Sequence, residues 1–467
     1  MNLLSVLYPI LIPFYIFLHR IAALWGHSKA KKMLQGRNQL KIFLGDNIPS
    51  HNPSLLIHCA SLGEYEMAIP VINFLRTEFP HHQIIVSFYS PSGYENAKLP
   101  AFIHPSTTAN TPVVKTYLPW DNLGDLDTFL TWINPQFVFI IRYELWYNFI
   151  RTLNQKSIPF AVLGMNIHEN HFLGKRWAQP WRKALKEVAG IGVLNQTMVA
   201  TATDWGMPKE RIFVWGDSKF NRAMERFNAF SQDISPANAT DPSNPNSTGS
   251  KSVSTHLPET LTHWLANKNT LILGSSWEAE ESLLLNYLNL HPLPQNWQIL
   301  IAPHDISTAH CQNLLNQFQQ FLPELATSLP NNPSASSNPS TVSQPPILIL
   351  NSIGQLANCY RFGKIAIIGG AFGKGLHNMA EASVFGMPLL FGPKHQKFPE
   401  AQQAINAGFA FQIIDQSAFN LKLSQLIQNQ SLREKLESIA HSFAANNQVQ
   451  LQSLWQIPEL VNLAERN

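Results

Sequence analysis

Short, unbroken apolar runs alternate with helical patterns along most of this chain, and no other feature constrains the fold as much. Residues 55–58, 84–88, 137–141, 160–163 and 190–194 read as strands, with amphipathic stretches at 64–75 and 145–154 between them. The rhythm resumes at 270–273, 298–302, 347–350, 365–368 and 388–391. Continuously apolar strands are buried on both faces, which implies parallel sheets covered by helices. At 467 residues the chain is too long for one ordinary core. The expected fold class is therefore α/β: two Rossmann-like parallel-sheet domains facing a cleft.

Two stretches interrupt the pattern. Residues 231–256 and 327–346 are rich in Ser, Pro, Asn and Thr with little apolar content, and both read as disordered. The first suits a linker, so the expected domains are 26–230 and 257–467, with 327–346 an insertion in the second.

Residues 1–25 stand apart. An apolar run from Leu3 to Leu18 contains Pro9 and Pro13, and Arg20, Lys29, Lys31, Lys32, Arg37 and Lys41 follow before the first acid, Asp46. The run is short for a spanning helix. No basic residue precedes it, which disfavours a signal peptide. The basic flank predicts a membrane anchor held on the cytoplasmic side, drawn to anionic lipid; a buried packing helix fits the same residues. Charged residues make up only 13% of the chain, against ~25% in typical globular proteins. A membrane-facing part or an Asn/Gln/Ser-rich composition explains this equally well. The net charge of +3 gives no signal for nucleic acid as a partner. The three cysteines match no metal spacing.

In open α/β sheets, ligands bind beyond the carboxyl ends of the strands, so polar residues that follow expected strands are candidates. Ser61 and Glu64 follow the first strand. Their spacing is that of a capping box, but a carboxylate there can also take a proton from an attacking hydroxyl. Glu144 follows another strand, and Lys219 a further apolar run. A helix-start acid and a solvated lysine are the plain readings; a second acid and an anion-binding cation are the functional ones. Further along, Leu273-Gly274-Ser275-Ser276 and Ala302-Pro303-His304 end two strands. The most specific segment is Ile368-Gly369-Gly370-Ala371-Phe372-Gly373-Lys374-Gly375-Leu376-His377-Asn378-Met379-Ala380-Glu381. It is neither a Walker loop nor a dinucleotide fingerprint. A glycine-rich turn with His377, Asn378 and Glu381 predicts backbone N–H groups around an anion, at the start of a helix opened by Asn378.

These segments, in this order, resemble the Kdo transferases of lipopolysaccharide biosynthesis, which have the GT-B fold. The resemblance also rests on Tyr117-Leu118-Pro119-Trp120-Asp121, Glu144-Leu145-Trp146, residues 216–220 and residues 354–360, and it covers nearly all the chain outside the polar stretches. It implies a glycosyltransferase at the cytoplasmic face of the cell inner membrane. The first domain would hold the lipid A precursor and the second CMP-Kdo. It implies inversion at the anomeric carbon without a metal or other cofactor. Glu64 matches the proposed base, with Glu144 and Lys219 in the same cleft. Ser275, Ser276, His304, Gly354, Asn378 and Glu381 match positions around the nucleotide, beside Gly370 and His377 of the glycine-rich turn. The arginine that many members carry between the matching proline and histidine has no counterpart at Pro303-His304. Two other readings compete: another GT-B enzyme with a different nucleotide sugar and a lipid acceptor, and a non-catalytic membrane-associated binding protein. The presence of both Glu64 and Glu144 speaks against the second.

Overall fold

The structure, a computed structural model, describes residues 3–48, 53–99, 113–142, 144–167, 171–233, 257–266, 268–321, 326–328, 346–373 and 375–466. The chain forms two α/β units, one of Met1–Arg222 with Gln448–Asn467 and one of Ala223–Asn447.

The first unit is built on a seven-stranded sheet: β1 (Ser54–Cys59), β2 (Gln83–Phe88), β3 (Val114–Tyr117), β4 (Pro135–Ile141), β5 (Phe160–Met165), β6 (Gly190–Val193) and β7 (Ile212–Val214). All neighbours are parallel, in the order β3-β2-β1-β4-β5-β6-β7. The second unit repeats the plan with β8 (Asn269–Ser276), β9 (Trp297–Pro303), β10 (Ala326–Ser328), β11 (Ile347–Ile349), β12 (Gly363–Ile368), β13 (Leu389–Phe391) and β14 (Ala410–Gln412). Its order is β10-β11-β9-β8-β12-β13-β14, again all parallel. The direction of winding reverses between β1 and β4 in one sheet and between β8 and β12 in the other. Loops diverge at such a switch point and leave a crevice at the strands' carboxyl ends. The central strands are apolar throughout because both faces are covered: β1 and β2 are buried at every residue.

The sequence-based expectation of parallel α/β units holds, with four strands unforeseen. Those four, β3, β7, β10 and β14, are the outer strands of the two sheets. Edge strands are short and partly solvated, so they lack the unbroken apolar run that marks a central strand. Thr327 and Ser328 lie in β10, so the stretch expected to be disordered from 327 begins with an edge strand; residues 329–345 and 234–256 lie outside the described residues.

The units divide inside the helix Ser218–Asp233, upstream of the expected linker, and the last residues return to the first unit. Val449, Leu454, Ile457 and Leu460 join the core formed by Leu55, Val71 and Phe213. Asn221 and Val449 exchange two hydrogen bonds of 3.0 and 2.7 Å, and Arg211 pairs with Glu459 at 2.7 Å. These contacts join residues more than 200 positions apart, so local pattern carries no trace of them.

The N-terminus forms three helices: α1 (Leu3–Leu24), α2 (Ser28–Asn38) and α3 (Leu40–Asn47). One side of α1 is docked. The Tyr8 hydroxyl donates to Asp121 at 2.6 Å, its ring meets Tyr147 and Trp181 edge-on, and the Tyr15 and Tyr89 hydroxyls are hydrogen-bonded. The other side exposes Leu11, Phe14, Phe17, Leu18 and Leu24. Among the described residues no helix is long and apolar enough to cross a membrane.

Candidate active site

In the first unit, the loops after β1 and β4 carry the acids expected there. The helix α4 (Leu62–Glu78) starts two residues after β1 ends, with Ser61 as N-cap and Glu64 at its third position. One carboxylate oxygen of Glu64 accepts the N–H groups of Ala60 at 2.5 Å and Ser61 at 3.0 Å. Only 8% of Glu64 is exposed. Burial and the nearby Glu144 carboxylate push its pKa up to about 7, against the pull of the two N–H groups and Arg142. Glu144 is itself raised by burial, while the indole N–H of Trp146 donates to it at 2.7 Å and limits the rise. Trp146 is stacked on Tyr89 at 4.9 Å, which fixes that donor.

Arg142, directly after β4, sits at φ 63. A non-glycine residue in this region is strained and persists where its surroundings hold it. Here Nη2 donates to Asp217 at 3.2 Å. Lys219 meets the same carboxylate oxygen at 3.1 Å, and its backbone N–H donates to the other. Burial opposes the charge of Asp217, but Lys219 and Arg142 together hold its carboxyl below the ordinary range. Lys219, expected as an anion ligand, is thus paired with Asp217. The structure joins Glu64, Glu144, Arg142, Asp217 and Lys219 into one charged cluster at the switch point. Arg142 and Asp217 lay inside segments that were singled out, yet no role was foreseen for either. Their position just past strand ends was the available signal.

The second unit carries a different set at the equivalent place. The helix Glu278–Leu290 follows β8, with Trp277 as N-cap and Glu280 at the third position. Glu280 accepts the N–H of Trp277 at 3.1 Å and, from across the switch point, that of Gly370 at 2.8 Å. Burial raises its pKa, and the N–H groups counter this. The glycine-rich turn, expected to present its N–H groups to a ligand, thus turns at least that of Gly370 toward its own chain. Gly370 has φ +91, and a side chain on Gly369 would come within 2.1 Å of the Ser275 carbonyl, so neither position admits a larger residue without rearrangement. Glu280 was not foreseen, although its spacing from Trp277 equals that of Glu64 from Ser61.

Three rings cover this turn. His304 stacks on both Trp277, at 4.5 Å, and His377, at 4.7 Å, and the Trp277 indole N–H donates to His377 Nε2 at 3.1 Å. Burial, then His304, lowers the His377 pKa. Ser276 donates to Glu281 at 2.8 Å, and Ser275 adopts φ 53 beside it. One expectation needs correction. The helix after the glycine-rich turn is Ala380–Val384 with Met379 as N-cap, so Asn378 does not open it, although its side chain accepts the Ala380 N–H at 3.1 Å. At five residues it has little dipole to offer an anion. Leu376 and Met379 before it are buried in the core. Glu381 is ion-paired with Arg226. Gly354, with φ +86, lies in an open bend that would leave room for a side chain.

Two parallel-sheet, Rossmann-like α/β units are those of the GT-B fold. Residues 32–222 match the family model described as 3-deoxy-D-manno-octulosonic-acid transferase (kdotransferase). Curated relatives agree along most of the chain. The 3-deoxy-D-manno-octulosonic acid transferase of Haemophilus influenzae is 24% identical over 88% of this chain and 88% of its own. That of Rickettsia bellii is 22% identical over 96% of each. Residues 32–222 thus match a Kdo transferase domain, and the likeness to curated Kdo transferases extends along most of the chain. Among solved structures, UDP-GlcNAc 2-epimerase from Neisseria meningitidis aligns with a TM-score of 0.56 at 12% identity, over 88% of this chain and 100% of that one. A glycosyltransferase from Rickettsia africae gives 0.52 at 13%, over 89% and 98%. At such identities the likeness is one of fold.

Proposed function

We propose that this enzyme transfers Kdo from CMP-Kdo to a hydroxyl of the lipid A precursor in a single inverting displacement, with Glu64 as general base. The observation that carries this is the state of Glu64: a buried carboxylate at the switch point, with a pKa of about 7. Such a group is substantially ionised at neutral pH yet basic enough to accept a proton, which is the condition for efficient general base catalysis. The acceptor oxygen forms its bond to the anomeric carbon as the bond from that carbon to the CMP phosphate breaks. The hydroxyl proton goes to Glu64, and CMP leaves with the bonding pair. Glu144 acts by keeping Glu64 basic. The ring stack of Trp277, His304 and His377, with Ser275 and the glycine-rich turn, serves the nucleotide.

The outer face of α1 supports a second part of the proposal, residence on the cytoplasmic face of the inner membrane. Leu11, Phe14, Phe17 and Leu18 line one exposed side, and Arg20, Lys29 and Lys31 follow in exposed positions. Apolar residues flanked by cations suit a helix lying in the interface plane.

Glu64→Gln tests the chemistry. The amide oxygen can still accept the Ala60 and Ser61 N–H groups, so the loop should stay intact. Turnover should fall at least about a hundredfold, the lower range for loss of a general base, with CMP-Kdo affinity unchanged by calorimetry. Near-normal turnover in the folded variant would leave Glu64 a helix cap.

A further inference from the structure

A cavity of about 260 Å³ lies between α1, α2, α3 and the start of the helix Leu123–Ile133, and neither Glu64 nor Glu144 lines it. Arg20 of α1 and Arg37 of α2 line it, with Leu34, Trp120, Asn122 and Asp125. Arg37 is 7% exposed. Its guanidinium lies 4.2 Å from the ring centre of Trp120, 5.0 Å from Tyr89 and 5.4 Å from Tyr117. Two of its nitrogens donate to the Met33 carbonyl at 3.4 Å and the Tyr89 carbonyl at 3.0 Å. Nε has no acceptor among the described residues, and no carboxylate there pairs with the group. Burial lowers its pKa only to about 10, so it remains a cation at neutral pH. A buried cation without an anion is costly. Asp125 is the acid of the lining, and its carboxylate already accepts from Asn122 at 2.5 Å. Two guanidiniums therefore face one engaged carboxylate.

We infer that this cavity binds the phosphate of an anionic lipid headgroup, with a phosphomonoester as the preferred form. The guanidinium fork matches phosphate oxygens in pairs. A monoester presents three terminal oxygens and one substituent, so it can enter a small cavity that a diester, substituted on both sides, enters poorly. The lipid origin follows from α1, which carries Arg20 at the cavity and exposes Leu11, Phe14 and Phe17 on its outer side. The inference rests on the reading that α1 lies on a membrane.

Flotation of the full-length protein with vesicles tests both. Three compositions are compared: phosphatidylcholine alone, with phosphatidylglycerol, and with phosphatidic acid at matched surface charge. Phosphatidic acid should bind about tenfold more tightly than phosphatidylglycerol, equivalent to ~1.4 kcal/mol. Arg37→Lys and Arg20→Gln should each abolish that preference. Arg20 is exposed, so its variant remains informative if Arg37→Lys fails to fold. Equal binding to the two anionic vesicles, or a preference that survives Arg20→Gln, would overturn the cavity while leaving the membrane reading intact. No binding to any vesicle would overturn both. A melting temperature raised as much by inorganic phosphate as by soluble dihexanoyl phosphatidic acid would show a free-phosphate site and defeat the lipid assignment.

Discussion

Glu64 and Glu280 occupy equivalent places in two parallel sheets that each reverse direction beside their first strand. Each stands at the third position of the helix that follows the first strand of its unit, and each accepts the N–H of its N-cap residue. Burial raises the pKa of both. They differ in what lies across the switch point. Opposite Glu280 is the glycine-rich turn, whose Gly370 N–H closes onto the carboxylate. Across from Glu64 stand a second acid, Glu144, and Arg142. A carboxylate tied across the sheet by N–H donors is structural cement. One facing another carboxylate keeps a high proton affinity and can exchange protons with a substrate. One local design thus yields a brace in the second unit and the proposed base in the first, and the neighbouring loop sets the difference.

The contrast can be broken at several points. The largest structural effect is expected at Asp217, which joins Lys219 and Arg142. Asp217→Ala leaves two partly buried cations unpartnered by it and should cost about 3 kcal/mol, read as a lowered urea midpoint. Glu280→Ala should follow at about 1–2 kcal/mol, because the Gly370 and Trp277 N–H groups lose their acceptor. Glu280→Gln should recover part of that loss, since an amide oxygen still accepts. Full stability in Glu280→Ala would mean that the brace is dispensable. Tyr8→Phe removes the hydroxyl from a carboxylate that retains the Asn148 and Phe149 N–H groups. About 1 kcal/mol is expected, seen as a small fall in melting temperature. A larger fall on deleting residues 1–25 would show that α1 is a packed part of the unit.

The central strands and the two acids after β1 and β4 were legible in the sequence for one physical reason. Strands buried on both faces leave continuous apolar runs, and the polar residues at their carboxyl ends then stand out. The edge strands lack that signature. The partners that give the acids different characters were not legible either. Gly370 reaches Glu280 across 90 positions, and Trp277 reaches His377 across 100. Asn378 and Glu381 stand three apart, as in a cap, yet the helix begins at Ala380 with Met379 as its N-cap.

The pH dependence of single-turnover Kdo transfer tests the assignment of Glu64 most directly. A base with a pKa of about 7 loses activity as pH falls through that value, because the protonated form cannot accept the acceptor's proton. The prediction is an acid limb centred near pH 7 that moves to lower pH in Glu144→Gln, where the repelling charge is gone. A rate that stays flat from neutral pH down to the ordinary carboxylate range, or a limb unmoved by Glu144→Gln, would contradict it.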